Sequence, residues 1–242
     1  MATRRLRLNG PGSAASRVEA MTAEHHRTRT GPKPRFTREQ AVQVALEIGI
    51  EQFTLGQVAQ RLGVSPPSLY RVAASREELQ DACLQRIVHG MALSGGVSAI
   101  SSWQEALRHL AQVLWQAMED HPGLDRVVLQ RPEAFVHLSE PLRAFLEHVL
   151  ALGFPRGRSQ LLRAVDFIAD TVHATHLTVA RLRDVDESGQ RVVDRLAEEL
   201  REEASAHGAE VLYEADPSWT ERGFLDGKVA FIIAGLEAGV QL

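Results

Sequence analysis

One glycine, Gly63, joins two short helical patterns within residues 53–79, and it restricts the possible folds more than any other residue. Before it, Leu55, Val58, Ala59 and Leu62 recur at helical spacing and define an apolar face. Gly63 then admits the left-handed backbone that turns a chain sharply, and Val64 can fill the corner. Ser65 offers a hydroxyl as N-cap, and Pro66 takes the first helical position, where a missing N–H costs nothing. Ala59 is small where two helices would cross, while Leu69 and Val72 give the second helix an inner face. The pattern predicts a helix-turn-helix whose second helix is short, polar at its start and suited to a DNA major groove.

The flanks extend this reading. Residues 36–49 form a preceding helix with Ala41, Val44, Ala45 and Ile48 inward and Thr37 as its cap. Ser75 and Glu78 have capping-box spacing at the start of a further helix opened by Arg76. Together Thr54-Leu55, Val58-Ala59, Leu62-Gly63-Val64-Ser65, Leu69-Tyr70-Arg71 and Ser75-Arg76-Glu77-Glu78-Leu79 resemble the DNA-binding domain of the tetracycline repressor (TetR) family. The resemblance covers residues 36–80. It implies an all-α fold, a double-stranded DNA operator that is partly palindromic, a hydrophobic small-molecule effector and a homodimer. It implies a repressor rather than an enzyme, with no catalytic residue, cofactor or metal.

Chemistry suggests roles within this unit. Thr54 caps the second helix and can reach a phosphate, while Ser65, Pro66, Pro67 and Ser68 form the exposed first turn of the recognition helix. Prolines and serines offer few bidentate hydrogen bonds, so Arg71 and Gln57 are the expected base-reading side chains. Tyr70 and Arg76 are expected phosphate clamps, and a packing role with a solvated hydroxyl is the alternative for Tyr70. After Leu69-Tyr70-Arg71 the family often has a histidine and then a bulky residue. Here Val72 and Ala73 stand there, so one phosphate-binding side chain is missing and family base preferences do not carry over.

Charge divides the chain. Residues 1–90 carry 13 Lys/Arg against 8 Asp/Glu, whereas residues 91–242 carry 14 against 23. That split fits a nucleic-acid-binding N-terminus on an acidic body that phosphates repel. Residues 1–35 are basic, rich in Thr, Gly, Ser and Pro, and lack apolar periodicity, which predicts disorder in isolation. Arg27, Arg29, Lys33 and Arg35 read as an arm adding contacts beside the recognition helix, whereas for residues 1–24 such an arm and a mere extension, its first part ahead of a start at Met21, are equal alternatives. The expected domains are therefore the arm 1–35, a three-helix DNA-binding domain 36–82, and a helical effector-binding and dimerisation domain 83–242. A single cysteine, Cys83, allows no intrachain disulfide. With no apolar run able to span a bilayer, no membrane association and a cytoplasmic setting are expected. Cys83 lies on an apolar helical face and reads as a small core residue.

The helix from Arg76 is expected to run to the Gly95-Gly96 break and to act as a lever on the helix-turn-helix. Beyond it, Trp103, Leu107, Leu110, Leu114 and Met118 share a stripe closed by His121-Pro122-Gly123, which is similar to the ligand-binding domain of the tetracycline repressor's own branch. Further helices are expected over 132–152, 158–183, 190–206 and 224–240. Within 158–183, His176 falls in the stripe of Leu161, Val165, Ile168, Val172 and Val179, so either an effector or a neighbouring carbonyl meets its ring. Trp115, Phe167, Asp170, His173 and His176 are the candidate effector-pocket residues. Asp166, Asp170, His173 and His176 also carry the alternative reading, a helical metal-dependent enzyme, although no nucleophile, phosphate loop or HExxH spacing accompanies them. In the last helix Leu225, Val229, Ile232 and Leu236 form an apolar face expected at a dimer interface with Val192, Val193, Leu196 and Leu200. Burial within one subunit is the competing possibility.

Overall fold

The computed structural model describes residues 36–91, 93, 100–211 and 216–242, and Arg35, the rest of the arm and the expected Gly95-Gly96 break lie outside them. The described chain is helical: α1 (Arg38–Ile48), α2 (Leu55–Arg61), α3 (Pro66–Leu69), α4 (Arg76–Gly90), α5 (Trp103–Asp120), α6 (Leu124–Gln130), a 3-10 segment (Pro132–Leu138), α7 (Ser139–Ala151), α8 (Gly157–Arg183), α9 (Val192–His207), α10 (Ser218–Glu221) and α11 (Leu225–Glu237). No strand occurs among the described residues; Val185 and Arg191 form only an isolated antiparallel bridge ahead of α9. The all-α class expected from the sequence holds. No helix among the described residues is long and apolar enough to cross a membrane.

The first two helices start in the same way. Thr37 Oγ1 accepts from the Gln40 N–H at 3.2 Å while Gln40 Oε1 accepts from the Thr37 N–H at 2.8 Å. Thr54 and Gln57 repeat this capping box at 3.2 and 2.9 Å. Each threonine stabilises its helix by about 1 kcal/mol, because the first-turn N–H groups have no partner inside the helix. Ala41, Val42 and Ala45 of α1 pack with Phe53, Val58, Leu69, Leu79 and Cys83 in a core continuous with the rest of the described protein. Cys83 is fully buried, and loss of hydration pushes its thiol up to about 12, which suits an inert core residue.

The 27-residue α8 is the spine of the remaining part and packs against α5, α6, α7, α9, α10 and α11. Two expectations fail here. The single helix over 132–152 is instead the 3-10 segment followed by α7. Pro141 has no N–H for the His137 carbonyl, so a regular helix cannot run through that point. The apolar face of α11 turns into its own subunit: Leu225, Val229, Ile232 and Leu236 are all buried beside α5 and α8. The four residues expected at a dimer interface are therefore core. Their removal from water is already complete in one chain, so no partner is needed to cover them. The outward face of α11 carries Gly227, Ala230, Ala234 and Ala238 around Phe231, whose ring is 81% exposed.

Candidate nucleic-acid interface and ligand cavity

The turn after α2 is a Schellman closure. The Val64 N–H donates to Ala59 O at 3.0 Å and the Gly63 N–H to Gln60 O at 3.1 Å, with Gly63 at φ +66°. Val58, Ala59, Leu69 and Ala73 are buried, which fixes α3 across α2. Ser65 stands at the N-cap position but caps through its carbonyl alone. Pro67 has removed the N–H at the second helical position, and the Ser65 hydroxyl pairs with Ser68 Oγ at 2.9 Å.

Thr54, Gln57, Ser65, Pro66, Pro67, Tyr70 and Arg71 are exposed and Ser68 is half-buried. Arg71 makes no ion pair among the described residues, so its guanidinium is available to a base edge. Gln57 uses its carbonyl oxygen on Thr54, leaving its amide N–H groups outward. Tyr70 is 54% exposed.

Arg76 departs from its expected role as a phosphate clamp. Its Nε donates to Phe53 O at 2.9 Å and its Nη2 to Glu51 O at 2.5 Å, with the guanidinium over the Phe53 ring at 5.2 Å. These carbonyls lie in the turn before α2 and would otherwise lack donors, so Arg76 is a positioning residue that locks the start of α4 to the helix-turn-helix. The Ser75 box is also displaced by one residue. Ser75 Oγ accepts from the Glu78 N–H at 3.1 Å, but Glu78 Oε2 accepts from the Ala74 N–H at 2.7 Å rather than from Ser75.

Sequence reasoning missed the links behind this interface. Gln80 is buried in α4 and donates to Ile50 O at 2.9 Å. Arg131 binds Gln80 Oε1 at 3.2 Å and Asp81 at 2.9 Å from the other side. Arg126 of α6 forms a two-oxygen pair with Glu51 at 2.8 and 2.9 Å. Gly123, at φ +88°, allows this approach: a Cβ there would lie 2.7 Å from the Glu51 Cβ. Only Gly123 left a trace in the sequence, in the His121-Pro122-Gly123 helix stop. The partners are 30 to 75 residues apart, and no local spacing encodes them.

Behind these links, α4, α5, α6, the 3-10 segment and α8 enclose a cavity of about 80 Å³. Leu84, Ile87 and Val88 of α4 with Met91 just after it form one wall, and Leu114, Ala117, Met118, Leu124, Val128, Ala134, Phe135, Leu138, Ala169 and His173 complete it. Of the five expected pocket residues only His173 lines it. Phe167 and Asp170 are exposed on α8 and do not line the cavity. Trp115 and His176 are buried, but they serve a structural cluster. The rings meet edge-on at 4.9 Å, His176 Nδ1 donates to Asp125 Oδ2 at 2.9 Å, and its Nε2 lies 3.4 Å from Glu119. The expected carbonyl acceptor is thus a carboxylate. Burial alone would raise the Asp125 pKa, but the hydrogen bonds from His176 and the Arg126 N–H hold it below its ordinary 3.8.

His173 differs. Its Nδ1 donates to Ala169 O at 2.9 Å, and burial, only partly offset by that bond, pulls its pKa below the ordinary histidine value. Asp166 and Asp170 are exposed while His173 and His176 turn to different partners. The four residues of the metal-enzyme alternative do not converge, and no group of three or more His, Cys, Asp or Glu among the described residues is placed to hold a metal.

Residues 38–83 match the model of the bacterial regulatory proteins of the tetR family. The chain is 30% identical over 128 residues to the HTH-type transcriptional repressor DrrR1 of Streptomyces coeruleorubidus, an overlap of 51% of this chain and about half (47%) of that one. It is 26% identical over 215 residues to an HTH-type transcriptional regulator of Saccharopolyspora erythraea, 87% of this chain and 88% of that protein. Its fold is similar to that of the Streptomyces coelicolor TetR family protein ActR in complex with (S)-DNPA, at 23% identity and a TM-score of 0.59 over 86% of this chain and 100% of that one. The helix-turn-helix built around Gly63 thus falls inside the segment, residues 38–83, that matches the model of the tetR family of bacterial regulatory proteins, on a helical body whose fold is similar to that of a solved TetR family protein.

Proposed function

We propose that this regulator is a homodimeric repressor that leaves a partly palindromic operator when a small apolar effector enters the cavity between α4 and α8. The observation that carries the reading is the dual engagement of α4. Its Leu84, Ile87 and Val88 wall the cavity, while its first residue, Arg76, grips Phe53 O and Glu51 O at the entrance to α2. A ligand larger than the void must move a wall, and a displaced α4 carries the helix-turn-helix with it. Two recognition helices in a dimer must meet major grooves about 34 Å apart, so a small rotation of each is enough to lose the match.

Arg71 and Gln57 then read base edges, with Thr54, the turn from Ser65 to Ser68 and Tyr70 against the backbone. The outer face of α11, where small residues surround the exposed Phe231, is the surface we assign to the dimer in place of the buried face. DrrR1, similar over half its length, is a repressor, and ActR has been crystallised with actinorhodin, which supports the ligand-responsive reading. Such a protein works in the cytoplasm, where the chromosome is.

The test is fluorescence anisotropy of the full chain on fragments of its own upstream intergenic DNA, in a salt series and against a panel of hydrophobic compounds. The expected result is specific binding released by one compound class. Binding that no cavity-occupying compound alters would refute the effector role.

A further inference from the structure

The cavity wall is chemically lopsided. Thirteen of its fourteen residues are aliphatic, methionine or phenylalanine, and His173 is the single polar side chain. An ion entering such a space would lose its hydration without gaining a counter-charge, so charged occupants are disfavoured. His173 is 9% exposed, and its Nδ1–H is committed to Ala169 O. Its burial favours the neutral ring. With the proton on Nδ1, Nε2 carries a lone pair, and no side chain or backbone group among the described residues donates to it.

We propose, on the basis of the effector reading above, that this cavity selects uncharged, largely apolar molecules bearing a hydroxyl group that donates to His173 Nε2. A carbonyl or ether oxygen at that point would face a second acceptor, whereas a hydroxyl completes the pair. The void of about 80 Å³ is small for a ring system, since an engineered cavity near 150 Å³ takes benzene. The occupant therefore extends past Ile87, Met91 and Ala117, which line both spaces, into the adjoining cleft of about 380 Å³ between α4 and α5, where Arg86, Gln116, Asp120 and His121 join the wall, so the selection against charge acts on the part held in the inner void. That direction keeps the hydroxyl at α8 and the apolar body against α4.

The experiment compares 2-naphthol with 2-methoxynaphthalene, its methyl ether, by calorimetric titration of the intact protein. The parent should bind the naphthol about tenfold more tightly or better, because the ether leaves a buried acceptor unpaired. His173→Leu should bind the two equally, and His173→Gln, which keeps an acceptor, should retain part of the preference. The 15N resonance of His173 Nε2 should shift with naphthol and not with the ether, a readout that stands even if His173→Leu folds poorly. Equal affinities in the parent, no binding of either probe, or a preference surviving in folded His173→Leu would overturn the proposal. DNA release is scored separately: a hydroxyl preference without release refutes the effector role and leaves the selectivity standing, whereas release without a preference does the reverse.

Discussion

The helix starts of the helix-turn-helix and the helical body around the cavity satisfy their polar groups over very different distances along the chain. At the DNA-facing end Thr37 with Gln40, Thr54 with Gln57, and Ser75 with Glu78 are each three residues apart. Around the cavity His176 meets Asp125 across 51 residues and Arg126 meets Glu51 across 75. The first kind of bond shapes one helix end and leaves the outer side chains free for DNA. The second kind holds separate helices together, so it responds when a helix moves. The proposed function uses both: a rigid reading head and a body whose inter-helix joints a ligand would shift.

Mutations should separate the two regions by size of effect. Asp125→Ala should destabilise most, by about 4 kcal/mol in thermal or urea unfolding, because it strips His176 of its buried carboxylate. This effect should depend on pH. Asp125 is depressed below its ordinary 3.8, so its stabilisation is complete above that value and is lost as pH falls through the lower folded value. The gap between parent and Asp125→Asn should therefore narrow in acid below about pH 4; a gap that widens there would contradict the depressed carboxyl.

Gly123→Ala should follow at about 3 kcal/mol, since strain at φ +88° adds to the clash with Glu51. Gly63→Ala isolates the local component. Nothing lies within 4 Å of its would-be Cβ, so only the φ of +66° opposes the change, at about 1 kcal/mol. Equal losses at the two glycines would erase the distinction between local and long-range coding. Between them, Arg76→Ala should cost about 2 kcal/mol through its carbonyl partners and leave the salt slope of DNA binding unchanged. A slope shallower by about one unit would return Arg76 to the phosphates. Arg71→Ala should shift stability least, within about 0.5 kcal/mol, while weakening operator binding and relaxing sequence preference.

The same contrast explains what could be read from the residues alone. Gly63, Pro66 and the threonine caps announce the helix-turn-helix because turns and caps depend on neighbours in sequence. The stripes of α5 and α8 were legible by period, and His176 was correctly placed on an inward face. Its acceptor, Asp125, was not, since it lies on α6, a seven-residue helix too short to show a period. Arg76 illustrates the opposite error. A basic residue opening a helix near DNA fits a phosphate contact, and only the folded chain brings Glu51 O and Phe53 O within its reach. On α11 the apolar face was identified, but periodicity cannot say whether α8 or a second subunit covers it.

In the proposed function an expanded cavity moves the DNA-reading head through α4, and this coupling can be tested without an effector. Ala169 lines the wall opposite α4, and a phenylalanine there would overfill the void of about 80 Å³. Operator affinity of Ala169→Phe, measured by anisotropy on a preparation shown to be helical and cooperatively folding, should fall about tenfold or more, within the range of ordinary allosteric coupling. A folded Ala169→Phe protein that binds the operator as tightly as the parent would contradict the coupling.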